Sequence, residues 1–259
     1  ILLITFMNTN IVIHWDCLSV LKEMKDGFVD LTVTSPPYDN LRTYNGYSFD
    51  FEWIAKELFR VTKEGWVIVW VVWDATIKWS ESWTSFKQAL YFKEIWFNLN
   101  DTMIWNKGSF SAVGALKTRY APVFEYMFVF SKGKIKNFNP IKDRKNKHSW
   151  DKKFCNIRQI DGTFKKFSKE VTIAEYWQRF NIWEIAPKKG NKIESHPAVF
   201  PEKLAEDHIL SWSNPWDIVL DCFAWSGTTL KMAKKNGRNY IWIEISEEYI
   251  EIIKKRLEI

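Results

Sequence analysis

The run Ile218-Val219-Leu220-Asp221-Cys222-Phe223-Ala224-Trp225-Ser226-Gly227-Thr228-Thr229-Leu230 puts an acid at the end of an apolar strand, then a small-residue loop, then a helix. In doubly wound α/β sheets such a strand end is where ligands bind. The free N–H groups of the helix's first turn favour a nucleotide-like group there. About twenty residues on, the strand Tyr240–Ile245 carries Glu244, placed to accept hydrogen bonds from both hydroxyls of a ribose. The same pattern also describes an ordinary strand–turn–helix with a solvated acid. A second cluster, Thr34-Ser35-Pro36-Pro37-Tyr38, stands at the carboxyl end of the strand candidate Val29–Thr34. By residue type alone it is a stiff turn, because two prolines fix φ and remove backbone donors.

Together these blocks resemble the S-adenosylmethionine-dependent DNA amino-methyltransferases. The segment from Asp221 to Thr229 is similar to the family's cofactor motif, Asp-Pro-Phe-Xaa-Gly-Ser-Gly-Thr-Thr, with Cys222 for the proline and Trp225 for the first glycine. His196-Pro197-Ala198-Val199-Phe200-Pro201 resembles the segment beside the methionine end of the cofactor. Ser35-Pro36-Pro37-Tyr38 resembles the catalytic tetrapeptide, Ser/Asp/Asn-Pro-Pro-Tyr/Phe/Trp. The catalytic block comes first and the cofactor block last, with a basic segment between. That order matches the beta arrangement of the family, and the resemblance runs from about Asn8 over nearly the whole chain.

The resemblance implies direct methyl transfer to cytosine N4 or adenine N6 in double-stranded DNA. Such an amine is a poor nucleophile, because its lone pair is delocalised into the ring. The Ser35 hydroxyl and the Pro36 carbonyl would accept its protons, Pro37 would stiffen the loop, and Tyr38 would stack on a flipped base. Asp16, Pro197, Asp221, Phe223, Trp225, Ser226, Gly227, Thr228 and Glu244 are the implied cofactor-binding residues. Asp16 reads equally well as a helix N-cap. Serine rather than aspartate at position 35 leans toward cytosine N4, with adenine N6 as the alternative. Neither metal nor a covalent intermediate is required, and no cysteine lies in the loop to support C5-cytosine chemistry. A cognate restriction endonuclease is compatible with the resemblance, as are a monomer and a homodimer. A DNA-binding protein with a cofactor pocket blocked by Trp225 is a further alternative.

These residues need a frame, and the apolar patterning supplies one. Strands are expected at Ile11–His14, Val29–Thr34, Val67–Val72, Thr102–Trp105, Val123–Phe130, Asp217–Asp221 and Tyr240–Ile245. The fifth is a candidate antiparallel edge. Helices are expected at Cys17–Lys25, Glu52–Thr62, Ser85–Ile95, Glu202–Ser211, Thr228–Asn236 and Glu247–Leu257. Alternation of this kind implies an α/β fold with a doubly wound, mostly parallel, Rossmann-like sheet. Residues 131–192 read as an inserted target-recognition region between a catalytic half, 8–130, and a cofactor half, 193–259.

Charge supports that division. Ser131–Glu170 holds 13 Lys/Arg against 4 Asp/Glu, whereas the whole chain is formally +6. A basic segment of this size suits phosphate backbones, or else a solvated surface. Cys17, Cys155 and Cys222 lack metal or disulfide spacing, which fits a reduced, cytoplasmic setting. Ile1–Phe6 is too short for a signal peptide, and Met7 marks a candidate start.

The tryptophans stand apart. There are 16 of them against 10 glycines, where average usage predicts about 18 glycines. Trp15, Trp66, Trp73, Trp79, Trp96, Trp216, Trp225 and Trp242 sit at expected turns, strand ends or close-packed spots that suit glycine. Returning those eight to glycine restores the expected count. This pattern suggests UGA codons that specify glycine and are read here as tryptophan. Trp70, Trp105, Trp183 and Trp212 fit apolar positions and read as genuine.

Overall fold

The computed structural model describes residues 8–37, 49–109, 118–187 and 200–257. β1 (Ile11–His14) leads through α1 (Cys17–Glu23) to β2 (Val29–Thr34), then α2 (Phe51–Val61) to β3 (Thr62–Val72). A small hairpin, β4 (Thr76–Ile77) and β5 (Ser80–Glu81), precedes α3 (Thr84–Glu94), β6 (Phe97–Asn106) and β7 (Phe124–Lys132). Four strands follow: β8 (Lys142–Lys145), β9 (Lys152–Arg158), β10 (Phe164–Thr172) and β11 (Tyr176–Gln178). The chain closes with β12 (Ile182–Glu184), α4 (Glu202–Trp212), β13 (Ile218–Asp221), α5 (Thr228–Lys235), β14 (Asn239–Glu244) and α6 (Glu247–Leu257).

Eight strands form one sheet in the order β1-β14-β13-β2-β3-β7-β6-β12. The pairs from β1 to β3 are all parallel, β3/β7 and β7/β6 are antiparallel, and β6/β12 is parallel. This is the expected doubly wound, mostly parallel arrangement. The interior strands β2 and β13 are buried almost throughout, as strands covered by helices on both sides must be. Ile68, Trp70 and Val72 of β3 share a core with α1, α2 and α3, where Ile54, Leu58 and Phe92 are all buried. On the other face α4 packs against β2 and β3.

Trp70 is fully buried, its indole N–H donating to Gln88 at 2.9 Å. Asp30 ties three strands together: its carboxylate accepts Lys63 Nζ of β3 through both oxygens at 2.7 Å and the Ile218 N–H of β13 at 2.9 Å.

Several details differ from the sequence reading. β3 begins at Thr62 rather than Val67, the extra length including a register irregularity opposite Val29–Leu31. β7 is antiparallel but is no edge, because β6 pairs along its outer side. Within the expected insertion, Pro140–Phe180 forms its own compact unit, whereas β12 joins the main sheet and buries Trp183. Three residues, exposed–buried–exposed, are too few to register as a strand in sequence.

The Pro140–Phe180 unit consists of two antiparallel ribbons, β9/β10 and β8/β11. Most of its described side chains are exposed. The Arg144 guanidinium lies 4.1 Å from the Phe180 ring centre and 5.9 Å from that of Trp177. No described helix is long and apolar enough to cross a membrane.

Asp30→Ala would strand the Ile218 N–H and remove the partner of Lys63. We expect it to lower stability by about 2 kcal/mol, read as a shift in the urea unfolding midpoint with an unchanged slope. A shift below a few tenths of a kcal/mol would mean the three strands are held without it.

Candidate active site

β2 and β13 are parallel neighbours at the centre of the sheet. From β2 the chain moves outward to β3, and from β13 it moves outward the other way to β14. Their carboxyl ends therefore flank the point where the winding reverses, the usual ligand crevice of such sheets. Ser35-Pro36-Pro37 leaves the end of β2, and the loop Cys222–Gly227 leaves the end of β13. Blocks nearly two hundred residues apart in sequence thus arrive side by side.

The junction is hydrogen-bonded. Thr34 Oγ1, at the last residue of β2, donates to Asp221 Oδ1 at 2.6 Å. The same oxygen accepts the Phe223 N–H at 3.1 Å. Asp221 is buried, and burial pushes its carboxyl up to about 7; the hydrogen bonds from Thr34, Thr229 and Phe223 oppose that, and the nearby Glu244 charge adds to it. Cys222 beside it is buried, its thiol held well above the usual range by desolvation. A group held neutral in this way is no nucleophile.

Glu244 closes β14. Its carboxylate accepts the Trp225 N–H at 2.8 Å through one oxygen and the Ser246 N–H at 2.9 Å through the other. Burial raises its pKa, and these backbone donors pull it back. Gly227 precedes α5 at φ +87, where a Cβ would come within 2.9 Å of the Trp242 ring. Only glycine meets both conditions. Phe223 lies edge-on to Phe49 at 5.5 Å. Thr228 is buried in the first turn of α5.

The remaining expected residues are placed as follows. Asp16 caps α1, accepting the Ser19 N–H at 2.8 Å, so the N-cap reading is observed. Asp16 also sits just past the end of β1, whose His14 is in register with Glu244. Ser226 is buried, and Arg256 of α6 donates to its hydroxyl at 3.0 Å and to its carbonyl at 2.6 Å. Its hydroxyl is thus engaged within the protein. Tyr38 and Pro197 lie outside the described residues. Among those residues, no cluster suited to a metal ion occurs.

Trp225 bridges the two loops. Its backbone is left-handed, at φ +47. Its indole N–H donates to the Ser35 carbonyl at 2.9 Å, and its ring meets Tyr249 edge-on at 5.8 Å. The side chain thus spans the gap from the cofactor-type loop to the Ser35 loop.

The sequence reading assigned no role to two residues that hold this site. Thr34 carried a weak signal, being the last strand residue before the loop. Arg256 carried none, since a cation in the last turn of a helix is ordinary.

Comparison with known proteins identifies the family. The family model described as DNA methylase matches residues 29–255. The chain is 56% identical over 241 residues to the orphan methyltransferase M.BamHII of Bacillus amyloliquefaciens, covering 90% of each protein. It is 28% identical to the DNA adenine methyltransferase YhdJ of Escherichia coli K12, covering 96% of this chain and 82% of that one. Among solved structures, the cytosine-N4-specific PvuII DNA methyltransferase superposes with a TM-score of 0.68 at 20% identity, over 93% of this chain and 84% of that chain. The complex of M1.HpyAVI with S-adenosylmethionine gives 0.62 at 23% identity, over 95% and 98%. The chain belongs to the N6/N4 DNA methylase family and is a DNA amino-methyltransferase.

Proposed function

We propose that this chain transfers the methyl group of S-adenosylmethionine to the exocyclic N4 of cytosine in duplex DNA, with the base flipped out of the helix. The observation that carries this reading is the placement of Ser35-Pro36-Pro37 and the Cys222–Gly227 loop at the ends of adjacent parallel strands, joined by the Thr34–Asp221 bond. The cofactor, when bound, supplies an activated methyl group on a sulfonium. Glu244 offers a carboxylate suited to ribose hydroxyls, and the loop from Phe223 to Thr228 offers backbone and a helix start. These residues fit the cofactor, with the single exception of the Trp225 side chain.

Ser35 and the Pro36 carbonyl act on the target amine. By accepting hydrogen bonds from its N–H groups they draw the nitrogen toward a tetrahedral shape and aim its lone pair. Two prolines hold both acceptors in place, so the contribution is one of orientation. The hydroxyl at position 35 favours cytosine over adenine. The kinship with an adenine enzyme keeps adenine N6 as the second reading.

The Pro140–Phe180 unit is the proposed DNA grip and carries the target recognition. It holds 11 Lys/Arg against 5 Asp/Glu, equal to the whole chain's net charge of +6. Cations at this density bind phosphates and release counterions. A cognate endonuclease is compatible with this activity, as are a monomer and a homodimer.

Nucleoside analysis of duplex DNA treated with the chain and with its Trp225→Gly variant tests the reading. N4-methylcytosine is expected. N6-methyladenine would select the second reading, and unmodified DNA from both proteins would overturn the proposal. Ser35→Ala in the active form should lower kcat by about 100-fold or more, with little change in cofactor affinity.

Replacing Lys142, Lys145 and Lys147 by alanine should reduce the slope of log affinity against log salt by about 1 for each phosphate that is no longer neutralised. An unchanged slope would place the grip elsewhere.

Asp221 sets a pH dependence of the cofactor-free protein. Its folded pKa, about 7, lies above the ordinary 3.8, so the folded state holds a proton that the unfolded state releases. The stability this supplies is full below about pH 4 and is lost as pH rises through 7. Asp221→Asn should flatten the fall in melting temperature over that window. An identical profile in the variant would contradict the assignment.

A further inference from the structure

Among the described residues, eight non-glycine positions have positive φ: Asn10, Lys78, Trp79, Trp83, Trp96, Trp150, Trp216 and Trp225. Six of the eight are tryptophan. A left-handed backbone is costly for a bulky L-residue, and asparagine is the usual exception to glycine. Burial does not explain the preference either. Trp79, Trp83, Trp96, Trp150 and Trp216 are 82%, 60%, 81%, 70% and 79% exposed.

Several of these positions also belong to a motif with its own requirement. Lys78 and Trp79 form the two-residue loop of the β4/β5 hairpin, with Ile77 opposite Ser80 and φ of +47 and +71. That is a type I′ geometry, which selects glycine at its second place. Trp216 follows Pro215 at φ +73, and the Asp217 N–H returns to the Asn214 carbonyl at 3.2 Å. That is the third place of a type II turn, again a glycine site. Trp150 repeats it at φ +72, with the Asp151 N–H bonded to the His148 carbonyl at 3.3 Å.

Trp96 has an internal control. It stands one residue past the C-cap of α3, at φ +78, its N–H bonded to the Lys93 carbonyl at 3.1 Å. One residue past the C-cap of α5 stands Gly237, at φ +70, bonded to Lys234 at 3.2 Å. The same left-handed helix terminus is glycine in one copy and tryptophan in the other. The four tryptophans at positions 70, 105, 183 and 212 behave in the opposite way, with exposures of 0%, 5%, 5% and 5% and no positive φ.

We infer that the natural protein has glycine at 79, 83, 96, 150, 216 and 225, the codons there being UGA read as glycine. The structure adds positions 83 and 150 to those the sequence suggests. At 15, 66, 73 and 242 the backbone is not left-handed and demands no glycine. Position 225 carries the functional consequence, which rests on the methyltransferase reading. A glycine there removes the indole that bonds the Ser35 carbonyl and opens the space between the cofactor loop and the catalytic loop. Trp225 is thus a plug absent from the natural enzyme.

Codon reading, thermal unfolding and calorimetry test this. UGA is expected at the six positions and UGG at 70, 105, 183 and 212; UGG at the six would overturn the assignment. The chain with glycine at all six should melt about 10 °C or more higher than the chain with tryptophan, whereas Trp105→Gly and Trp212→Gly should melt lower. No rise in the six-glycine chain would overturn the inference without reference to any ligand. Trp225→Gly should bind S-adenosylmethionine at least tenfold more tightly, about 1.4 kcal/mol; unchanged affinity would overturn the plug. A six-glycine chain that gains stability but methylates no base would refute the methyltransferase reading and leave the glycine assignment standing.

Discussion

The site depends on one contact, the hydrogen bond from Thr34 to Asp221 across adjacent parallel strands. Each strand ends in a loop with its own chemistry, and neither loop can do much alone. In the proposed reaction the proline turn alone would have no methyl group to receive, and the loop after β13 alone would have no amine to aim at. Parallel pairing of β2 with β13 brings both to one edge of the sheet. The Thr34 hydroxyl then links the two strand ends within hydrogen-bond length. Asp30 does the corresponding work at the opposite end of the same strands.

Around that contact the protein arranges a low-dielectric wall. Asp221, Cys222, Ser226 and Thr228 are all buried. Buried polar groups must be hydrogen-bonded to be tolerated, and the available partners come from distant parts of the chain. Arg256 of the last helix holds the Ser226 end of the loop, and also reaches Glu202 of α4 at 3.2 Å. The closing helix therefore fixes the cofactor loop as well as covering the sheet. The Ser35-Pro36-Pro37 segment is stiff through its prolines, and the Cys222–Gly227 loop is stiff through its neighbours.

Much of this was legible in the residues. Continuous apolar runs such as Val67–Val72 marked the interior strands, and Asp221 and Glu244 marked the crevice by their spacing. What stayed hidden has identifiable causes. β12 is three residues long and buries one side chain. The strands of the Pro140–Phe180 unit are exposed on most of their described positions, so burial imposes no two-residue period on them. β7 looked like an edge because nothing in its own sequence announces that β6 pairs outside it. Arg256 acts on a loop thirty residues away, a contact that only folding creates. Among the tryptophans, Pro215 betrayed the turn at 216, whereas no such marker accompanies Trp83 or Trp150.

Two kinds of tryptophan coexist within one chain. Trp70 fills the core and satisfies its N–H, as a buried indole should. Trp225 holds a left-handed backbone and spans the gap between the two loops. The most direct measurement is a crystal structure of the Trp225→Gly variant with S-adenosylmethionine. The cofactor is expected between the Phe223–Thr228 loop and Ser35, its ribose hydroxyls at Glu244 and its methyl group facing the proline turn. A cofactor seated elsewhere, with Ser35 remote from the sulfonium, would contradict it.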